Sequence, residues 1–147
     1  MRFLALVVVV LGGYWFVTRQ GESNLPWMHD FDAAIVAARD RRVPILVDFW
    51  ASWCGPCQSL DATVLSAGPV EEVAARDFVL LRVDLSDHPP KGPDAKVAER
   101  YGVTAMPTLL VVDPEDLAVL SRASDADRAS ADAFVAFLNR HSKTGSR

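Results

Sequence analysis

The chain has 147 residues, enough for one domain and a short extension, and half of them are hydrophobic, so it can bury a core of its own. Its 15 basic and 19 acidic residues leave a formal charge of −4 with no basic run, which argues against a nucleic-acid partner. The only two cysteines share one C-x-x-C, which leaves none for a structural disulfide and marks the pair as chemistry rather than a staple.

Residues 3–17 form an apolar run bounded by Arg2 and Arg19. The run is short for a bilayer span of about 20 residues and long for a signal core of about 7–15. No small-x-small cleavage pair follows it, and Tyr14, Trp15 and Phe16 resemble an interfacial aromatic belt. Residues 1–19 are therefore read as a membrane anchor, with a cleaved secretory signal as the alternative. A buried first helix is disfavoured because residues 7–11 show no polar face. The rest of the chain is expected in the periplasm or extracytoplasmic space, tethered to the inner membrane, or secreted if the segment is cleaved. Residues 20–26 read as a polar linker, 27–142 as the folded domain and 143–147 as a disordered tail.

Apolar residues Phe31, Ala34, Ile35 and Ala38 recur at helical spacing, with Asp30 as N-cap and Arg41, Arg42 and Pro44 closing the helix. Residues 45–50 are an apolar, β-rich run broken only by Asp48, which predicts a strand buried on both faces. The C-x-x-C opens a helix that Gly68-Pro69 interrupts, with a second piece running to residue 75. A second buried strand is predicted over 78–83, and a proline-rich loop over 86–93. A short helix follows over 95–101, stopped by Gly102. Residues 108–112 predict a third strand, 113–116 a turn, and 117–121 a returning fourth strand. Phe134, Val135, Phe137 and Leu138 mark the inner face of a last helix. The order α-β-α-β-α-β-β-α predicts an α/β fold with a mixed central sheet and helices on both faces. Strands joined through helices are expected to run parallel, and the last two to pair as an antiparallel hairpin.

Trp53-Cys54-Gly55-Pro56-Cys57 carries the chemistry. Two cysteines three apart at a helix start can close a disulfide with little backbone movement. The unpaired N–H groups and the positive end of the helix dipole stabilise a sulfur there as thiolate. Pro56 is tolerated because first-turn N–H groups need no intrahelical partner. Cys54, ahead of the helix, is expected to be exposed and to attack a substrate disulfide, and Cys57, one turn in, to be shielded and to resolve the mixed disulfide. Asp48 lies in the buried strand, where burial raises a carboxyl pKa. It reads as the proton acceptor for Cys57, or else as a strand-end carboxylate bonded to backbone. Met106-Pro107 stands directly before the third strand. A cis bond there would turn the Met106 backbone toward the sulfur for strand-like pairing with an extended substrate, and a trans bond would make Pro107 an ordinary strand start. Structural zinc wants four ligands, and the histidines, His29, His88 and His141, are all far from the cysteines in sequence. Gln58 stands where a c-type haem site needs histidine. No metal and no cofactor is expected, and His88 reads as solvated.

The segment from Asp48 through Cys57 (Asp-Phe-Trp-Ala-Ser-Trp-Cys-Gly-Pro-Cys) resembles the active-site segment of the thioredoxin family. Tyr101-Gly102-Val103 followed by Met106-Pro107-Thr108-Leu109 resembles that family's cis-proline segment. The resemblance covers residues 43–138. It implies a thioredoxin fold of four or five strands, Cys54 as nucleophile, Cys57 as resolving thiol, Asp48 as buried acid and Pro107 in cis. Trp53, Gly55, Pro56, Met106 and Pro107 are then the candidate substrate-binding residues. Leu80 stands where the family's buried lysine would be, so Asp48 is expected to lack its cationic partner. The longer stretch over 84–101 and the segment around residues 63–70 look more like the C-terminal domain of the bacterial thiol:disulfide interchange protein. Gly55-Pro56 is typical of reducing members. The sequence reading is a membrane-tethered reductase of protein disulfides in the bacterial envelope, served by a separate thiol electron donor such as a membrane hub. The alternatives are a disulfide oxidase or isomerase, or a redox-inert binding module.

Overall fold

The computed structural model describes residues 23–142. The expected anchor, the start of the linker and the tail over 143–147 lie outside the described residues. Among the described residues, five α-helices and one π-helical turn pack on a four-stranded sheet. Helix α1 is Phe31–Arg41, with the Asp30 carboxylate accepting the Ala33 N–H and Arg42 in the left-handed region (φ 54) as its C-cap. Strand β1 is Ile45–Trp50. Helix α2, Gly55–Leu60, runs directly into a π-helical turn, Asp61–Leu65. Helix α3 is Gly68–Asp77 and strand β2 is Val79–Asp84. Helix α4, Gly92–Arg100, begins earlier than expected and is stopped by Gly102, whose positive φ of 60 lets its N–H return to Glu99. Strands β3 (Thr108–Val112) and β4 (Val119–Arg122) and helix α5 (Ala131–Asn139) complete the order.

The four strands lie in the order β2-β1-β3-β4. β1 and β2 are parallel, whereas β3 is antiparallel to β1 and β4 to β3. This corrects the expectation that all helix-joined strands run parallel. The connection through α4 leaves β2 and returns at the same end of the sheet, so Thr108 enters opposite Phe49 and β3 runs back beside β1. β4 begins at Val119 because Leu117 is taken up in the turn, at φ 61 with its N–H on Asp113. A single parallel bridge at Met28–Leu81 adds the beginnings of a fifth strand beside β2.

Alternation along the strands gives the sheet two faces. On one, Ile45, Val47, Phe49, Val79, Leu81, Val83, Leu110 and Val112 pack under α1 and α4. On the other, Leu46, Leu80, Leu109 and Val111 pack against Leu60, Val64 and Leu65 of the helical segment after the cysteines, and against α3 and α5. Each fully buried side chain of this kind stabilises the fold by about 1.5–3 kcal/mol. The second half of the expected linker belongs to this body. Leu25 is buried in the second cluster and the Ser23 hydroxyl donates to Asp61, so packing begins before Trp27. No helix among the described residues is long and apolar enough to cross a membrane.

Candidate active site

β1 ends at Trp50, and the Leu85 N–H donates to its carbonyl, which ties the end of β1 to the chain leaving β2. A tight turn, with the Cys54 N–H on the Ala51 carbonyl, then delivers Cys54 as the N-cap of α2. Cys54 and Cys57 form a disulfide, their Cα atoms 5.3 Å apart. The Cys57 backbone N–H donates to Cys54 Sγ at 3.2 Å. The sulfur thus occupies the capping position that a serine or aspartate oxygen usually fills, where an anion is favoured. The expectation that Cys54 stands exposed is corrected. It is 5% exposed and Cys57 2%, because the disulfide pulls both sulfurs against Trp50, Ala51 and Met106. What stands out is Trp53, which is 51% exposed.

Asp48 is 2% exposed and points to the same face of the sheet as Leu46, under the helical segment that follows the cysteines. It is not without a cation. Arg82, its register partner on β2, donates Nε to Asp48 Oδ2 at 3.0 Å and holds the same oxygen with Nη2 at 2.9 Å. The expectation drawn from Leu80 is therefore corrected: alternation puts Arg82 on the same face as Leu80, and its longer, forked side chain reaches the acid. Arg82 also reaches Asp61, with Nη2 3.0 Å from Oδ1. Burial pushes the Asp48 carboxyl from 3.8 up to about 6, against the opposing pull of Arg82, and the Asp61 charge adds to the rise. A carboxyl so placed is ionised at neutral pH yet close enough to its midpoint to take a proton.

The rim comes from two loops. Trp53 Nε1 donates to the Ser86 carbonyl at 3.0 Å and the Ser52 N–H to Ser86 Oγ at 2.8 Å, so the loop after β2 is fastened to the cysteine turn. In that loop His88 stacks on Trp53 at 4.5 Å between ring centroids, and the His88–Pro89 bond is cis. His88, read from sequence as solvated, is exposed, and its ring lies on the exposed indole. Opposite, the Met106–Pro107 bond is cis and Met106 packs on the cysteine cluster. Arg128 donates to the Pro107 carbonyl at 2.6 Å, which braces this loop from the segment before α5. Gly55 and Pro56 occupy the first turn of α2.

The structure thus gathers Cys54, Cys57, Trp53, Gly55, Pro56, Met106 and Pro107 at one end of the sheet, with Asp48 beneath. Arg82, Asp61 and Arg128 were missed in the sequence, as was the stacking of His88 on Trp53. The signal for Arg82 was its even spacing from Leu80 on a predicted strand, and for Asp61 its position four residues after Cys57.

A family model described as thioredoxin-like matches residues 26–114. A thioredoxin of Chlorobaculum thiosulfatiphilum is 36% identical over 72 residues, 46% of this chain and 55% of its own length. The chain therefore spans little more than half of that relative. A thioredoxin H-type of Chlamydomonas reinhardtii is 32% identical over 124 residues, 82% of this chain and 90% of that relative. Among solved structures, the oxidised DsbD C-terminal domain of Neisseria meningitidis superposes with a TM-score of 0.62 at 19% identity, covering 78% of this chain and 98% of that one, a likeness of fold.

Proposed function

The chain belongs to the thioredoxin-like family of thiol–disulfide oxidoreductases, and from that premise we propose that it is a protein-disulfide reductase with Cys54 as attacking sulfur and Cys57 as resolving sulfur. The observation that carries this reading is the Cys57 N–H donated to Cys54 Sγ at the N-cap of α2, which favours negative charge on that sulfur. In the reduced protein the Cys54 thiolate attacks one sulfur of a substrate disulfide, and the other leaves as a thiolate. Asp48 then takes the Cys57 proton, the Cys57 sulfur attacks Cys54, and closure of the disulfide seen here expels the second substrate sulfur. Two electrons pass to the substrate, and a separate thiol donor must return them. Trp53, Gly55, Pro56 and the Met106–Pro107 backbone form the surface on which an extended substrate segment docks.

Gly55-Pro56, the dipeptide typical of reducing members, supports the reductive direction. The reduction potential of the Cys54/Cys57 couple tests it. A value near about −270 mV, that of thioredoxin itself, supports a reductase, and one near about −120 mV, that of the strong oxidase DsbA, reverses the direction.

The apolar run over residues 3–17 with its aromatic end supports tethering to the inner membrane, with the domain on the periplasmic or extracytoplasmic side. Carbonate extraction of membranes from cells making the full chain tests this. Retention in the membrane, with the domain open to protease from outside, supports it. Release into the soluble fraction contradicts it.

A further inference from the structure

Arg82 is shared between two buried carboxylates. Its Nη2 sits 2.9 Å from Asp48 Oδ2 and 3.0 Å from Asp61 Oδ1, and Nη1 reaches Asp61 Oδ2 at 3.5 Å. The guanidinium is fixed in place over the rings of Trp27 (4.6 Å) and Trp50 (5.5 Å). One positive charge faces two negative ones, so whatever Asp61 draws from the fork is withheld from Asp48. The division is uneven: Asp61 also accepts the Ser23 hydroxyl at 2.7 Å, and Ser23 in turn accepts Trp27 Nε1 at 3.3 Å. Asp61 opens the π turn, four residues beyond Cys57 on the same helical segment. The helix that carries the resolving thiol therefore also carries the second acid.

The charged groups around Asp48 come from two elements, Arg82 of β2 in direct contact and Asp61 of the π turn through the shared guanidinium. Leu109 of β3 is in register with Asp48, and Ser23 and Trp27, before α1, pack on Asp61 and Arg82. His29 lines the cleft above Asp61 and Arg82.

Resting on the assignment of Asp48 as acceptor for the Cys57 proton, we propose that Asp61, acting through the shared Arg82 fork, is a positioning residue that sets how strongly Asp48 takes up that proton. The proton leaves the Cys57 sulfur for Asp48 Oδ as the sulfur attacks Cys54. No electrons pass through Asp61 or Arg82.

The test is the titration of the Asp48 side-chain carboxyl, followed by carbon NMR in the oxidised full chain, together with the rate of insulin disulfide reduction. Asp61→Asn keeps the shape and removes the competing charge. It is expected to lower the Asp48 midpoint by about one pH unit and to slow insulin reduction a few-fold at neutral pH. Arg82→Lys keeps the charge and loses the fork, and is expected to move the midpoint upward. In an Asp48→Asn background, Asp61→Asn is expected to add no further loss of rate. An Asp48 midpoint that stays put in Asp61→Asn overturns the proposal. If instead Asp48→Asn alone leaves the rate unchanged, the acceptor assignment itself fails. Should Asp61→Asn not fold, Asp61→Ser, which also removes the charge, is read by the same criterion.

Discussion

Under α1 and α4 the parallel strands β1 and β2 present only apolar side chains: Ile45, Val47, Phe49, Val79, Leu81 and Val83. On the opposite face the same two parallel strands set Asp48 and Arg82 among Leu46, Leu80 and Leu109, beneath the helix that bears the cysteines. The backbone is common to both faces, so the contrast isolates what the polar insertion does. The first face stabilises by burial, which is insensitive to pH. The second gives up part of that burial to hold a titrating group beside Arg82, at a cost that grows as Asp48 ionises. Stability and chemistry are divided between two sides of one sheet.

Four substitutions sharpen or break this comparison. The largest effect is expected from Cys54→Ser, which removes the attacking sulfur. Insulin disulfide reduction should fall to background while the thermal unfolding of the reduced protein barely moves. Next, Leu81→Ala on the apolar face should cost about 2–5 kcal/mol of stability. Denaturant titrations at pH 4.5 and pH 7.5 should return the same loss at both.

Asp48→Asn should behave differently. The folded, oxidised protein keeps a proton on Asp48 up to about 6, whereas the unfolded chain releases it near the ordinary value of 3.8. Between these limits the folded state binds the extra proton. That contribution is complete below pH 4 and is lost as pH rises through 6. The parent should therefore weaken by about 2–3 kcal/mol between pH 4 and pH 7 relative to Asp48→Asn. Parallel stability curves for the two proteins would remove the distinction between the faces. Smallest, Ser130→Ala deletes the hydroxyl that accepts the Ala133 N–H at the start of α5. It should cost about 1 kcal/mol by denaturant titration at every pH.

The elements that depend on local pattern were legible in the sequence. Ile45–Trp50 announces itself by an apolar run, α1 by spacing and its Asp30 cap, and the cysteine turn by C-x-x-C at a helix start. The direction of β3 was not legible, because it depends on which end of the sheet the connection through α4 returns to, and no periodicity encodes that. The ion pair beneath the cysteines was half legible. Asp48 stood out as an acid in an apolar strand, but its cation lies 34 residues away and needs the register of two strands to find it. Likewise the stacking of His88 on Trp53 joins two segments that only the folded loop after β2 brings together. The fastening of that loop through Ser86 leaves no local mark in the chain.

The proposed exchange depends on the asymmetry of the two sulfurs, and the most direct measurement is the alkylation rate of each cysteine in the freshly reduced chain, resolved by mass spectrometry from pH 5 to 9. Cys54 should react first and fast at neutral pH, its rate rising through a midpoint below the value of about 8.5 shown by free cysteine, while Cys57 lags well behind. Equal, slow labelling of both cysteines, with a common rise near that free-cysteine value, would contradict the account.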